Sequence, residues 1–271
     1  MPISVERLDA REWPDHLMTA LFAEGFPEFI TADREAKRYI DRVRAWFAPL
    51  NIVLVEDGHT PVATGWGVPL RWSGRVDDLP TGYTDALRLA IALHEVDQEP
   101  DTLVICGAVV HPDKKGTGVA GQLMVELCRL AEDAGWPRVI APVRPTLKHR
   151  YPLTPIDDYV AWTRDDGTPF DPWLRLHLRI GGRVLATAPT SQTMTGTIAQ
   201  WETWTQMRFP ASGEYVIPAG LSTLLIDRAA DSGTYIEPNV WVRHRKPRRR
   251  NPEPCRVSDP RSDSECQQAR T

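Results

Sequence analysis

The sequence predicts a layered α+β domain, a mixed central sheet with helices on both faces. Three observations predict it. Apolar runs of strand length alternate with segments whose apolar residues recur every three or four positions. Turn-forming Gly, Pro, Asn and Asp mark the borders between them. No segment recurs at a fixed period, which argues against solenoids and propellers. The chain has 271 residues, 42% hydrophobic and 25% charged, a globular balance with length enough for one large domain.

The elements follow in order. "SVERLDA" reads as a first strand. Between Trp13 and Phe47, Leu17, Leu21 and Phe22, then Tyr39, Val43, Trp46 and Phe47, recur at helical spacing, and "GFPEF" divides them into two helices. "NIVLVEDG" and "TPVATGWGVPLRW" form a predicted hairpin. "YTDALRLAIALHEVD" is helical, with Thr84 as its expected cap. "TLVICGAVV" is a strand, and a glycine-rich turn hands it over to an amphipathic helix, Val119–Ala134. "PRVIAPVRP" follows as a strand. "DPWLRLHLRIGG" is a helix closed by glycines, "RVLATAP" a strand, and "GTYIEPNVWVRH" the last strand. Between residues 148 and 170 lies a long Pro- and aromatic-containing insert. Loops of that length are usually functional or disordered, and Tyr151, Tyr159 and Trp162 favour an ordered lid.

Charge divides the chain. Net charge is −4, yet from Arg243 to the end nine Lys/Arg face four Asp/Glu, which leaves the body at −9. The expected division is therefore a domain over residues 1–242 and a basic, disordered tail over 243–271. After "RHRKPRRR" the tail holds one Val and no other large apolar residue, so it has little to bury. No aromatic is interleaved with the arginines, which counts against a single-strand nucleic-acid platform. No apolar run approaches the roughly 18–20 residues of a membrane span. The first residues lack an apolar signal core, so a cytoplasmic setting is expected. Cys106, Cys128, Cys255 and Cys266 show no metal-ligand spacing, and no metal is expected.

The stretch "HPDKKGTGVAGQLM" (residues 111–124) carries the chemistry. Glycines and lysines between a strand and a helix suit a phosphate. The pattern GxxxxGK[ST] is absent. "GTGVAG" matches GxGxxG, but "HPDKK" separates it from the strand and the next strand ends without the acid a dinucleotide site wants. "VVHPDKKGTGVAGQLM" instead resembles the acyl-CoA motif of the GNAT acyltransferase superfamily. "WLRLHLRIGGRV" resembles that family's helix running into its sixth strand. The resemblance covers roughly residues 1–242. The second half is similar to carrier-protein-linked and polyketide-loading GNAT domains and their stand-alone bacterial relatives. Asp113 stands where the family usually has Gln or Arg.

The resemblance implies a GNAT fold and a set of roles. Lys114, Lys115, Gly116, Thr117, Gly118, Val119 and Ala120 would cradle the phosphates of coenzyme A, through amides at a helix N-terminus. A backbone N–H of Val109 or Val110 would polarise the thioester carbonyl. His177 falls where the family has its general-acid tyrosine. A histidine ordinarily titrates near neutrality, so acid and base roles are both open, as is a buried structural role beside Trp173 and Ile180. Asp157 and Asp158 read as a helix-start or surface pair. Glu202, between Trp201 and Trp204, is an acceptor-side candidate. His111 reads as a turn contact. The expected activity moves an acyl group from acyl-CoA, or from a phosphopantetheinyl carrier-protein thioester, to a small-molecule amine. The alternatives are a loading-type malonyl-thioester decarboxylase that acylates a carrier thiol, and a non-catalytic acyl-CoA-binding homologue.

Overall fold

The computed structural model describes residues 3–22 and 25–244. Among these described residues nine strands form one sheet: β1 Ile3–Arg7, β2 Asn51–Glu56, β3 Thr60–Leu70, β4 Thr102–Val110, β5 Arg138–Val143, β6 Arg183–Gly196, β7 Gly213–Val216, β8 Thr223–Asp227 and β9 Ser232–His244. Their order is β1-β2-β3-β4-β5-β9-β8-β7, with β6 also paired to β9. Only β4 and β5 run parallel. Among the described residues seven α-helices accompany them: α1 Asp15–Phe22, α2 Arg34–Trp46, α3 Tyr83–Glu95, α4 Val119–Asp133, α5 Ile156–Val160, α6 Pro172–Arg179 and α7 Ile198–Thr205.

Side-chain alternation sorts the central strands between two cores. Leu103, Ile105, Val139, Ala141, Val143, Val240 and Val242 meet Leu123, Met124 and Leu127 of α4 and Leu174 of α6. Val104, Ile140 and Trp241, one step out of phase, meet Ala36 and Val43 of α2 and Leu87 and Ile91 of α3 on the other face. Each such buried aliphatic side chain contributes about 1.5–3 kcal/mol. Burial on both faces explains why "NIVLVE" and "TLVIC" are nearly continuous apolar runs.

The expected layered α+β architecture is the one observed. Four local expectations are corrected. Thr84 lies inside α3, which Gly82 precedes; the Thr84 hydroxyl donates to buried Asp33, itself the cap of α2. The 148–170 insert is packed onto the body: Tyr159 is buried, and Tyr151, Trp162 and Phe170 cluster around it. It is ordered, as expected, but lines no part of the cavity described below. The sequence pattern also missed α7, β7 and β8, which build a third core with Trp201, Phe209, Leu224 and Tyr235. Finally, β9 runs two residues past the boundary set by charge. Arg243 pairs with Ile140 and His244 with Val139, and His244 is buried. Residues 245–271, which hold the rest of the expected tail, lie outside the described residues. Among the described residues no helix is long and apolar enough to cross a membrane.

Candidate active site

The cleft begins where the two parallel strands part. β4 and β5 pair only at Thr102–Arg138, Leu103–Val139 and Val104–Ile140, although β4 continues to Val110. At the same point β4 is bulged against β3. Trp66 faces Gly107 and Gly67 faces Ile105, leaving Cys106 unpaired. A Cβ on Gly107 would come 2.2 Å from Trp66 Nε1, so the bulge accepts only glycine there without movement. The parted strands enclose a cavity of about 350 Å³. Its walls include β4 residues 105–110 and Ala141–Val143 of β5. Met124, Trp173 and His177 reach it from α4 and α6. No residue of 148–170 or of α3 lines it.

The ladder separates the two candidate valines. His111 N–H donates to Val62 O at 2.9 Å, across β3. Because N–H directions alternate along a strand, Val110 N–H points away from β3 into the cleft, and Val109 N–H belongs to the β3 ladder.

At the mouth, a short turn over Pro112–Lys114 leads to Gly116 (φ 79°) and Gly118 (φ 94°), and α4 starts at Val119. The left-handed φ at Gly118 turns the chain into the helix, and nothing lies within 4 Å of where its Cβ would be. The first amides of α4, at Val119 and Ala120, begin a helix with no acid in its first turn, which leaves donors for an anion. Lys115, Gly116 and Ala120 line the cavity. Lys114 and Thr117 are engaged elsewhere. Lys114 Nζ binds Glu56 at 2.7 and 2.8 Å, and Thr117 Oγ1 donates to Lys114 O at 2.7 Å. The His111 ring accepts from Asp113 N–H at 3.3 Å, a turn contact as expected. The Gly118→Val variant should lower CoA affinity about tenfold or more by calorimetry, since a branched side chain is strained there and occupies the open approach. Unchanged affinity in a folded variant would remove the phosphate assignment.

His177 sits on α6, whose start is fixed by Asp171 accepting from Trp173 and Leu174 N–H at 2.9 and 3.2 Å. The ring is 1% exposed and lines the cavity. Its Nδ1 lies 3.0 Å from Nε2 of His244, and the Trp173 ring stands edge-on at 4.6 Å. His177 Nε2 and His244 Nδ1 have no hydrogen-bond partner among the described residues. Burial, reinforced by the His244 ring, lowers the His177 pKa to about 3; burial lowers that of His244 to about 4. Both are neutral at pH 7. The expectation of titration near neutrality is thus corrected.

The other candidates lie elsewhere. Glu202 on α7 is held by Arg208 at 2.5 Å and by Phe209 N–H at 3.3 Å. Asp157, in the first turn of α5, accepts from Thr187, and Asp158 shares that turn. None of the three lines the cavity. Cys128 is a core residue, as expected, whereas Cys106 faces the cavity with its thiol pKa pushed far up by burial. Sequence reasoning missed Gly25, Phe26, Arg144 and His244. The last was hidden inside "RHRKPRRR", where its neighbours are all charged or Pro; only the apolar alternation of "NVWV" running into it marks it as strand.

A mixed sheet parted between its two parallel strands, with a glycine turn and a helix N-terminus at the opening, defines an acyltransferase of the GNAT type. No family model matches the chain. The chain is 32% identical over 259 residues, 85% of its length and 87% of the relative's, to the arginine N-acetyltransferase avaD of Aspergillus versicolor. It belongs to the GNAT N-acetyltransferase superfamily. Two solved structures share the fold. One is the loading GNATL domain of CurA from Lyngbya majuscula (TM-score 0.55, 13% identity, 90% of this chain and 98% of that one). The other is the GphF GNAT-like decarboxylase in complex with isobutyryl-CoA (TM-score 0.52, 18% identity, 91% and 100%).

Proposed function

We propose that the chain moves an acetyl group from acetyl-CoA to the primary amine of an amino-acid-like acceptor. The observation that carries this is one cavity holding both the Val110 N–H and His177, a ring with an unpartnered nitrogen. Val110 N–H donates to the thioester carbonyl oxygen as negative charge develops there. The amine nitrogen forms the new C–N bond and the C–S bond breaks. His177 Nε2 takes the proton released by the amine, and the same nitrogen returns a proton to the departing thiolate. This reading puts the Nδ1 proton on His177, donating to His244 Nε2, and leaves the Nε2 lone pair without a partner among the described residues. The amides of Val119 and Ala120, with Lys115, hold the pyrophosphate.

The avaD relative, an arginine N-acetyltransferase, supports an amine over a thiol acceptor. The test is thiol release from acetyl-CoA with a panel of amines. A carrier-protein acyl thioester serves as a rival donor, and malonyl-CoA as a rival substrate. Acetylation of amines by acetyl-CoA is expected. Turnover confined to carrier thioesters, or loss of carbon dioxide from malonyl-CoA with no amine product, would replace this reading.

A further inference from the structure

Among the described residues two cations line the cleft, and no Asp or Glu does. Each lies past the end of one parting strand: Lys115 beyond β4, Arg144 immediately after β5. Lys115 belongs to the glycine turn. Arg144 belongs to a different arrangement, set by β9. β8 pairs with β9 as far as Tyr235, and β5 takes over from Val240. Glu237 lies in the interval and is fully buried. It accepts from Arg144 Nε and from the Tyr235 hydroxyl. Arg144 Nη2 donates to Ala219 O at 2.7 Å. The third nitrogen, Nη1, donates to no described residue, and the side chain is 21% exposed.

This guanidinium is fixed on two sides and open on the third. Its charge is also not fully cancelled. Lys148, buried, places its ammonium 2.6 Å from Leu221 O and 2.8 Å from Tyr151 O. Burial lowers its pKa to about 8, and Glu237 opposes the fall, so it stays largely protonated at pH 7. Two cations around one carboxylate leave one net positive charge at this wall. A planar, immobilised guanidinium with spare donors suits a carboxylate, and its immobilisation lowers the entropy cost of recognition.

We propose that Arg144 binds the carboxylate of the acceptor, so that the acetylated amine belongs to an α-amino acid held beside His177. This rests on the N-acetyltransferase reading. Among the described lining residues there is no acid to pair with an acceptor side-chain cation. Recognition falls on the carboxylate common to amino acids.

The experiment compares arginine, agmatine (arginine without the carboxylate) and norleucine (a carboxylate without a side-chain charge) as acceptors for acetyl-CoA. The wild-type chain should favour arginine and norleucine over agmatine by about 10- to 100-fold in kcat/KM, expressed mainly in KM. Arg144→Lys should keep part of the preference, and Arg144→Met should bring the arginine-to-agmatine ratio near 1. Since Arg144→Met strands the buried Glu237, the double variant Arg144→Met/Glu237→Gln is measured beside it, with folding checked by circular dichroism, and should show the same ratio. Equal use of agmatine by the wild type, or an unchanged ratio in a folded variant, overturns the proposal. Calorimetry with acetyl-CoA and malonyl-CoA separates the other source of a carboxylate. If Arg144→Met weakens malonyl-CoA alone, the carboxylate rides on the donor and the acceptor assignment is wrong. If acetyl-CoA binds and no amine is turned over, agmatine included, the N-acetyltransferase reading itself falls, and this proposal with it.

Discussion

Replacing His177 with glutamine should cut kcat per folded molecule by about 100-fold or more, the usual worth of a positioned proton-transfer group. A glutamine can keep a donor toward His244 Nε2, so the fold should survive, and CoA affinity should hold because the proposed phosphate contacts lie on α4. The wild-type kcat–pH profile should carry no inflection near 6.5 from this ring, since burial and the His244 ring hold its pKa at about 3. A fully active, folded glutamine variant would end the catalytic assignment. An inflection near 6.5 that disappears in the variant would show that the ring charges in solution and that the neutral-pair reading is wrong.

Acid should unfold this protein through the same two rings. In the unfolded chain each histidine takes up a proton as pH falls below about 6.5. In the folded chain His177 and His244 stay neutral until about 3 and about 4. The unfolded state therefore binds more protons across that window, and stability falls as pH falls, by at most about 1.4 kcal/mol per pH unit for each ring. Denaturant titrations from pH 7 to pH 4 should show that slope. The double variant His177→Gln/His244→Gln should flatten it by roughly two protons' worth. An unchanged slope in the double variant would mean that other groups carry the acid sensitivity.

The sequence made the central sheet legible because each of its strands and flanking helices has its own periodicity. "TLVICGAVV", the glycine turn and α4 follow one another in thirty-odd residues, and the expected elements are those observed. His177 was legible as a residue facing the sheet, on the face it shares with Trp173. Its chemistry was not, because its partner His244 is 67 residues away, and local pattern says nothing about such pairs. Arg144 and Glu237 are 93 residues apart, with the same result. β7 and β8 were lost for another reason. "GEYV" and "TLLID" are short, with half their side chains exposed, and give too few positions for an alternation to stand out. The insert is ordered as expected but lines no part of the cavity, because length and aromatic content do not tell which way a loop folds.

β9 is an unbroken run of 13 residues, with β6 along one edge and β8, then β5, along the other. It carries Tyr235 and Glu237 near one end and His244 at the other. The outer hairpin and the half of the sheet that holds the cleft therefore share one strand and are expected to open as one unit. Hydrogen exchange of the ladder-bonded amides of β9 should proceed only through global opening, with one common protection factor for those near Tyr235 and those from Val240 to Val242. A destabilising change in the distant hairpin would then reach the histidine pair by shifting the unfolding equilibrium of the whole strand, with no displacement at the cleft.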